Sequence, residues 1–436
     1  MDRLAALEVA MDRRAIMQLG VMAGLGAAFM PSLAWATTQP NALGNVRKVI
    51  ERWVGPGKFP GMVAALGVPG YETEYVARGS DGFLDQDELT PDSLFRIYSM
   101  TKPVTGMAAM MLIGEGKLGL DQPLADILPK FANMQVQVTP DGSVTDLRPA
   151  MNPITIRHLM THTSGLGYTI IQKGPLSKLM EERGLVSGQI SRINVPGMSR
   201  GKAVASLEQF ADGMAGMPLV YEPGTKWLYS AGLDVMGRVI EVVSGKSFDR
   251  FLKDRIFDPA GMASTYFQVP ASEKQRLTTN HVVFARKLVP IDPGESSIYL
   301  DKPPYPFGGS GLVSTPRDYD RFLRMLAGYG TIDGAKVMGE LAVRVGTSNL
   351  LPDGVKGPTM MGPASHFGAG GRVGIGPEAG IYGWAGAAGT VGMVDMNNGL
   401  TSGIYVQFMP PDAFDLLPEF QTALKADVMA LMETRS

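Results

Sequence analysis

The chain predicts an α/β fold of the α+β type. An antiparallel sheet is built from both chain ends and flanked by helices, with a mainly helical region inserted between its two halves. Three observations predict it. Short β-type runs bounded by turn residues lie near both ends. Helical stretches, Met- and Ala-rich at their start, dominate the middle. No internal repeat and no low-complexity linker interrupts the chain.

Residues 15–36 carry no charge and directly follow Arg13 and Arg14. A charged start, an apolar stretch and the small-x-small sequence Ala34-Trp35-Ala36 make the order of a secretory signal. The paired arginines suggest the twin-arginine route. Met11 is an alternative start, because residues 1–10 add nothing a signal needs. The rival is a buried or anchoring helix, and Gly20, Gly24, Gly26 and Pro31 weaken both readings. The expected location is periplasmic or secreted, with cytoplasmic as the alternative. No stretch after Ala36 resembles an uninterrupted membrane span, so no stable membrane insertion is expected once the signal is removed. Residues 37–436 then form one domain, with its α/β part about 40–95 and 305–436 and its helical part about 96–304.

Residues 42–53 place Val46, Val49, Ile50 and Trp53 at helical spacing. The runs 62–68 and 74–78 are split by Pro69-Gly70, a hairpin signal. Residues 99–115 read as a helix, and 116–300 mix helical stretches with Gly and Pro breaks. The runs 390–395 and 400–408 flank Asn397-Asn398-Gly399, a strong hairpin turn. Residues 418–434 read as a closing helix with Pro418 at its start, where a missing N–H costs little.

Composition narrows the chemistry. The 40 basic and 42 acidic side chains give a net charge of −2, which excludes a generally basic nucleic-acid binder. The absence of cysteine excludes disulfides, zinc–thiolate sites, iron–sulfur clusters and a cysteine nucleophile. The histidines are four in number: His158, His162, His281 and His366.

The segment of most interest is Ser99-Met100-Thr101-Lys102, at the start of an apolar helix. Pro103 is tolerated only near a helix start and pins that start close to Ser99. A spacing of three puts Ser99 and Lys102 on one face. The helix N-terminus favours negative charge developing on the serine. Together with burial, it is expected to lower the lysine pKa toward that of a base. A second Ser-x-x-Lys, Ser199 to Lys202, follows Pro196-Gly197 and contains Gly201, so no stable turn joins its ends. On spacing alone, an N-cap serine followed by a surface lysine is an equal reading of the first copy. His158 and His162 stand four apart, as metal ligands can. Leu159 occupies the place where a zincin needs Glu, which favours a structural role. No Gly-x-Ser-x-Gly occurs.

Further segments fall in an order similar to that of serine β-lactamases and penicillin-binding proteins: 95–113, 116–129, 154–168 (with THTSGLGY), 221–237 (with YSAG), 307–323 (with FGGSGL) and 383–395 (GWAGAAGTVGMVD). The chain resembles class C β-lactamases, and more closely the family VIII carboxylesterases of that fold. The resemblance implies a β-lactamase/DD-peptidase-like fold, with Ser99 as nucleophile, Lys102 as its partner and Tyr229 as the proton relay. It implies a third motif, Trp384-Ala385-Gly386, on a strand edging the site. The Ser99 and Ala387 N–H groups would then form the oxyanion hole, and Trp384, Gly386 and Tyr168 would border the substrate pocket. Met100 and Met107 are candidates for an adaptable acyl pocket.

Two departures bear on substrate. Ala231 replaces the Asn of the class C Tyr-x-Asn, and Trp384 replaces the Lys of Lys-Thr-Gly. Neutral short-acyl esters are thus expected over anionic β-lactams, through an acyl-enzyme on Ser99 and with no cofactor or metal. The alternatives are a β-lactamase or D-amino-acid peptidase, or a non-catalytic penicillin-binding-like protein.

Overall fold

The computed structural model describes residues 41–83, 87–193, 201–359 and 364–433. The segment read as a signal, and Ser199 of the second Ser-x-x-Lys, lie outside the described residues.

Seven antiparallel strands form one sheet. Their spatial order is His366–Phe367, Arg372–Val373, Ile381–Ala385, Val391–Asp395, Leu400–Tyr405, Gly61–Gly67, Glu74–Gly79. The two chain ends meet at the fifth and sixth strands, with Val63 opposite Tyr405 and Gly67 opposite Thr401. Gly61–Gly67 is buried along its whole length. Period-two alternation divides its side chains between two cores. Met62, Ala64 and Leu66 join Val46, Ile50 and Phe420 on one face. Val63 joins Tyr319 and Phe322 on the other. Helices Gly44–Trp53 and Leu416–Glu433 therefore cover the first face, and helix Pro316–Ala327 the second. Each aliphatic side chain so buried contributes about 1.5–3 kcal/mol.

Helix Gly44–Trp53 has no capping side chain of its own. Asp427 of the last helix accepts from the amides of Asn45 and Val46, each at 2.9 Å, and from Asn45 Nδ2 at 2.7 Å. A carboxylate there satisfies orphan N–H groups and complements the helix dipole.

Helix Thr101–Gly114 is buried all round from Thr101 to Leu112. It packs against helices Gly232–Ser244 and Glu340–Gly346. A helix apolar on every side is a core helix. Pro103 is its third residue, where no intrahelical carbonyl awaits an N–H. Ser99 sits just before it, in the 3-10 turn Tyr98–Met100.

The middle of the chain is less purely helical than the sequence predicts. It contains the hairpin Asn280–Phe284 and Lys287–Asp292. The turn residues Ala285 and Arg286 have φ of 47° and 60°, so it lacks the glycine or asparagine that would announce it. The run 400–408 divides: Leu400–Tyr405 stays in the main sheet, and Phe408–Met409 pairs in parallel with the hairpin. Among the described residues no helix is long and apolar enough to cross a membrane.

Candidate active site

The chain reaching Ser99 is fixed before it arrives. Phe95–Arg96 pairs with Val313–Ser314, and Ile97 N donates to Leu312 O at 3.1 Å. Arg96, fully buried, pairs with Asp292 at 2.6 Å and donates to Ser297 Oγ at 3.0 Å. Tyr98 then takes the left-handed conformation, with φ of 40°. A bulky side chain resists that conformation, and such outliers concentrate at functional turns. Its hydroxyl accepts from Asn280 Nδ2 at 3.1 Å. The turn leaves Ser99 half-buried at the start of the core helix.

Lys102, one turn on, is 0% exposed. Its Nζ donates to Ser99 Oγ at 3.1 Å and to Gly309 O at 2.7 Å. It lies 4.5 Å from the Tyr229 ring centre and 5.5 Å from that of Tyr168. Burial, the largest influence, disfavours the ammonium. Tyr168, Tyr229 and Asp234 favour it and prevail, so Lys102 lies above its ordinary value. This corrects the expectation of a lowered lysine. Burial acts as anticipated, but the surrounding phenols and a carboxylate outweigh it.

Tyr229 arrives from a loop ahead of helix Gly232–Ser244 and is walled by rings. His162 stands at 4.7 Å, Tyr168 at 5.5 Å, Trp384 at 5.9 Å and Trp227 at 6.0 Å. Trp384 Nε1 donates to the Tyr229 hydroxyl at 3.2 Å. His162 Nδ1 accepts from the Ser230 N–H at 3.2 Å, which orders the backbone beside Tyr229. Burial, reinforced by the Lys102 charge, holds His162 well below the usual histidine range, so it is neutral. His158 serves a different purpose. It forms a reciprocal cap with Thr155, donating its N–H to Thr155 Oγ1 at 3.3 Å and accepting at Nδ1 from Thr155 N at 3.2 Å.

Ser99 opens on a cleft of about 30 Å³ that Tyr98, Tyr168, Ile170, Gln189, Ile190, Ala387 and Met409 help to line. The sequence-predicted residues therefore part company. Ser99, Tyr168 and Ala387 share this cleft, with Lys102 and Tyr229 buried behind Ser99. Gly386 packs instead on the Thr390 side chain and the Ile97 backbone. A Cβ there would stand 2.4 Å from Ile97 O, and this contact brings Ala387 alongside the Ser99 turn. Trp384, 2% exposed, backs Tyr229 rather than facing the cleft. Met100 and Met107 are both fully buried in the core, which removes them from the acyl pocket. Sequence reasoning missed Ile190, Gln189 and Met409, which carry no motif and reach the cleft only through tertiary folding.

A family model described as Beta-lactamase matches residues 46–426. Protein Rv1367c of Mycobacterium tuberculosis is 31% identical over 351 residues, which span 77% of this chain and 83% of its own. Lovastatin esterase of Penicillium rubens is 27% identical over 405 residues, spanning 86% of this chain and 95% of its own. Among solved structures, EstCE1, described as a hydrolase with promiscuous acyltransferase activity, superposes with a TM-score of 0.71 at 23% identity. That match covers 88% of this chain and 98% of EstCE1 and reflects a shared fold.

Proposed function

The chain belongs to the β-lactamase family, and from that premise we propose that it is a serine carboxylesterase acting on small, short-acyl, uncharged esters through an acyl-enzyme on Ser99. One observation carries this reading. A half-buried serine hydroxyl lies 3.1 Å from a fully buried lysine, which itself lies 4.5 Å from a tyrosine ring drawn from a distant part of the chain.

Ser99 Oγ attacks the ester carbonyl carbon while its proton passes to the Tyr229 oxygen, which hands its own phenolic proton on to the ester's alcohol oxygen. Lys102 remains an ammonium throughout and supports the negative charge developing on both oxygens. The Ser99 and Ala387 N–H groups stabilise the tetrahedral oxyanion. The carbon–oxygen bond breaks, the alcohol leaves with the proton it received from Tyr229, and Tyr229 keeps the proton taken from Ser99. A water then repeats the attack on the acyl-enzyme, restoring Ser99 and releasing the acid. The preference for uncharged esters is supported by Ala231 and Trp384. The former offers no side-chain amide, and the latter commits its one N–H to Tyr229.

The same intermediate could pass its acyl group to an alcohol instead of water. The description of EstCE1 supports this second reading. Ester hydrolysis is tested with Ser99→Ala and p-nitrophenyl acetate or butyrate, where turnover should fall by about a thousandfold or more. Parent-level turnover in that variant defeats the assignment. Added alcohol that diverts product from acid to a new ester establishes transfer.

A further inference from the structure

An ammonium at Lys102 has no exposure to water, and its hydrogen-bond partners, the Ser99 hydroxyl, the Gly309 carbonyl and the Tyr229 phenol, carry no formal charge. A charge so placed needs a counter-charge close by. Asp234 answers this need. It is the third residue of helix Gly232–Ser244, 1% exposed, and its Oδ1 accepts from Gly309 N at 3.0 Å. Gly309 is also the residue whose carbonyl accepts a hydrogen bond from Lys102 Nζ at 2.7 Å. One glycine therefore joins the carboxylate to the ammonium. A Cβ at Gly309 would stand 2.8 Å from Asp234 Oδ2, so a larger residue there would displace the carboxylate. The loop is clamped on either side: Thr105 Oγ1 donates to Gly308 O at 2.6 Å, and Leu312 N donates to Thr101 Oγ1 at 3.1 Å. Arg238, one turn beyond Asp234, is engaged with Glu208 and Glu241.

We propose that Asp234 is the buried counter-charge that keeps Lys102 cationic and holds its ammonium at Ser99, and so acts as a positioning residue for the reaction. This rests on the reading of Lys102 as the charged member of the proton relay. The groups facing Lys102 are Ser99 from its own turn, His162 and Tyr168 from the 161–168 segment, Tyr229 from the loop before helix Gly232–Ser244, and Asp234 from that helix. Tyr305 faces Asp234 in turn. Asp234 is the one carboxylate in this set.

Asp234→Asn keeps an acceptor for the Gly309 N–H and removes the charge. In the full chain its kcat on p-nitrophenyl butyrate should fall about 10- to 100-fold, with KM within about threefold. Without the carboxylate the ammonium loses its proton more easily. The alkaline limb of kcat/KM against pH should therefore move down by about one unit or more. A merely structural role would lower the amount of folded enzyme and leave that limb in place. Should Asp234→Asn fail to give a cooperative thermal melt, Asp234→Ser, smaller and still an acceptor, is read in the same way. A folded variant whose alkaline limb is unmoved, or moves up, overturns the inference. Ser99→Ala separates the two possible failures. If it is inactive while the Asp234 limb stays put, the counter-charge alone is wrong. If it is as active as the parent, the underlying reading falls and takes this inference with it.

Discussion

The hydroxyl of Tyr229 is the atom on which the proposed proton path turns. Its ring is held by four neighbouring rings, and its oxygen receives one indole N–H. Tyr229→Phe keeps the packing and removes the proton carrier, so kcat on p-nitrophenyl butyrate should fall by about 10²- to 10⁴-fold with little change in melting temperature. Trp384→Phe removes only a neutral hydrogen bond, and a loss of about three- to tenfold is expected. A Tyr229→Phe enzyme with parent kcat would remove Tyr229 from the path. At this scale the sequence was most legible where a motif tied residues to a fixed local spacing. Ser99 and Lys102 are one turn apart on one chain segment, and their 3.1 Å contact follows from that. It was least legible where electrostatics decides. The upward displacement of Lys102 depends on Tyr168, Tyr229 and Asp234, which lie 66 or more positions away in the chain.

Elements were readable in proportion to how local their signals are. The helix over residues 101–114 and the hairpin around Pro69-Gly70 were evident from periodicity and turn residues. The hairpin Asn280–Asp292 was not, because its turn is made by Ala285 and Arg286 in a conformation that costs them energy. What holds that hairpin is tertiary. His281 is fully buried, with Nδ1 3.0 Å from Gln407 O and the Phe83 ring packed edge-on. Burial, the main cause, brings its pKa down to about 4. The unfolded value is about 6.5. The folded pKa is the lower one, so the unfolded chain binds the proton first as pH falls. The stabilisation is therefore complete above about pH 6.5 and is lost as pH drops toward 4. His281→Phe should reduce the slope of unfolding free energy against pH, between 6.5 and 5, by up to about 1.4 kcal/mol per unit. Urea titrations at several pH values measure it. An unchanged slope would mean that His281 is protonated in the folded protein as readily as in the unfolded one.

Taken whole, the molecule joins its two ends in one sheet, and Asp427 of the last helix closes the first turn of the first. That much was visible as strands at both ends of the sequence. The cleft was not, since Tyr98, Ile190, Ala387 and Met409 approach one another only when the hairpin, the 185–193 segment and the third-motif strand are packed together. On the proposed reading a reactive serine is a property of the assembled chain, because the Tyr229 phenol and the Ala387 amide come from regions far from the Ser99–Lys102 turn. The most direct check is covalent trapping. A fluorophosphonate is added to the native protein and to protein unfolded in urea, and peptides from both are read by mass spectrometry. Stoichiometric addition at Ser99 in the native protein alone, with parallel loss of ester turnover, is the predicted result. Full ester turnover with Ser99 unlabelled, or a label on a different residue that abolishes it, would contradict the account.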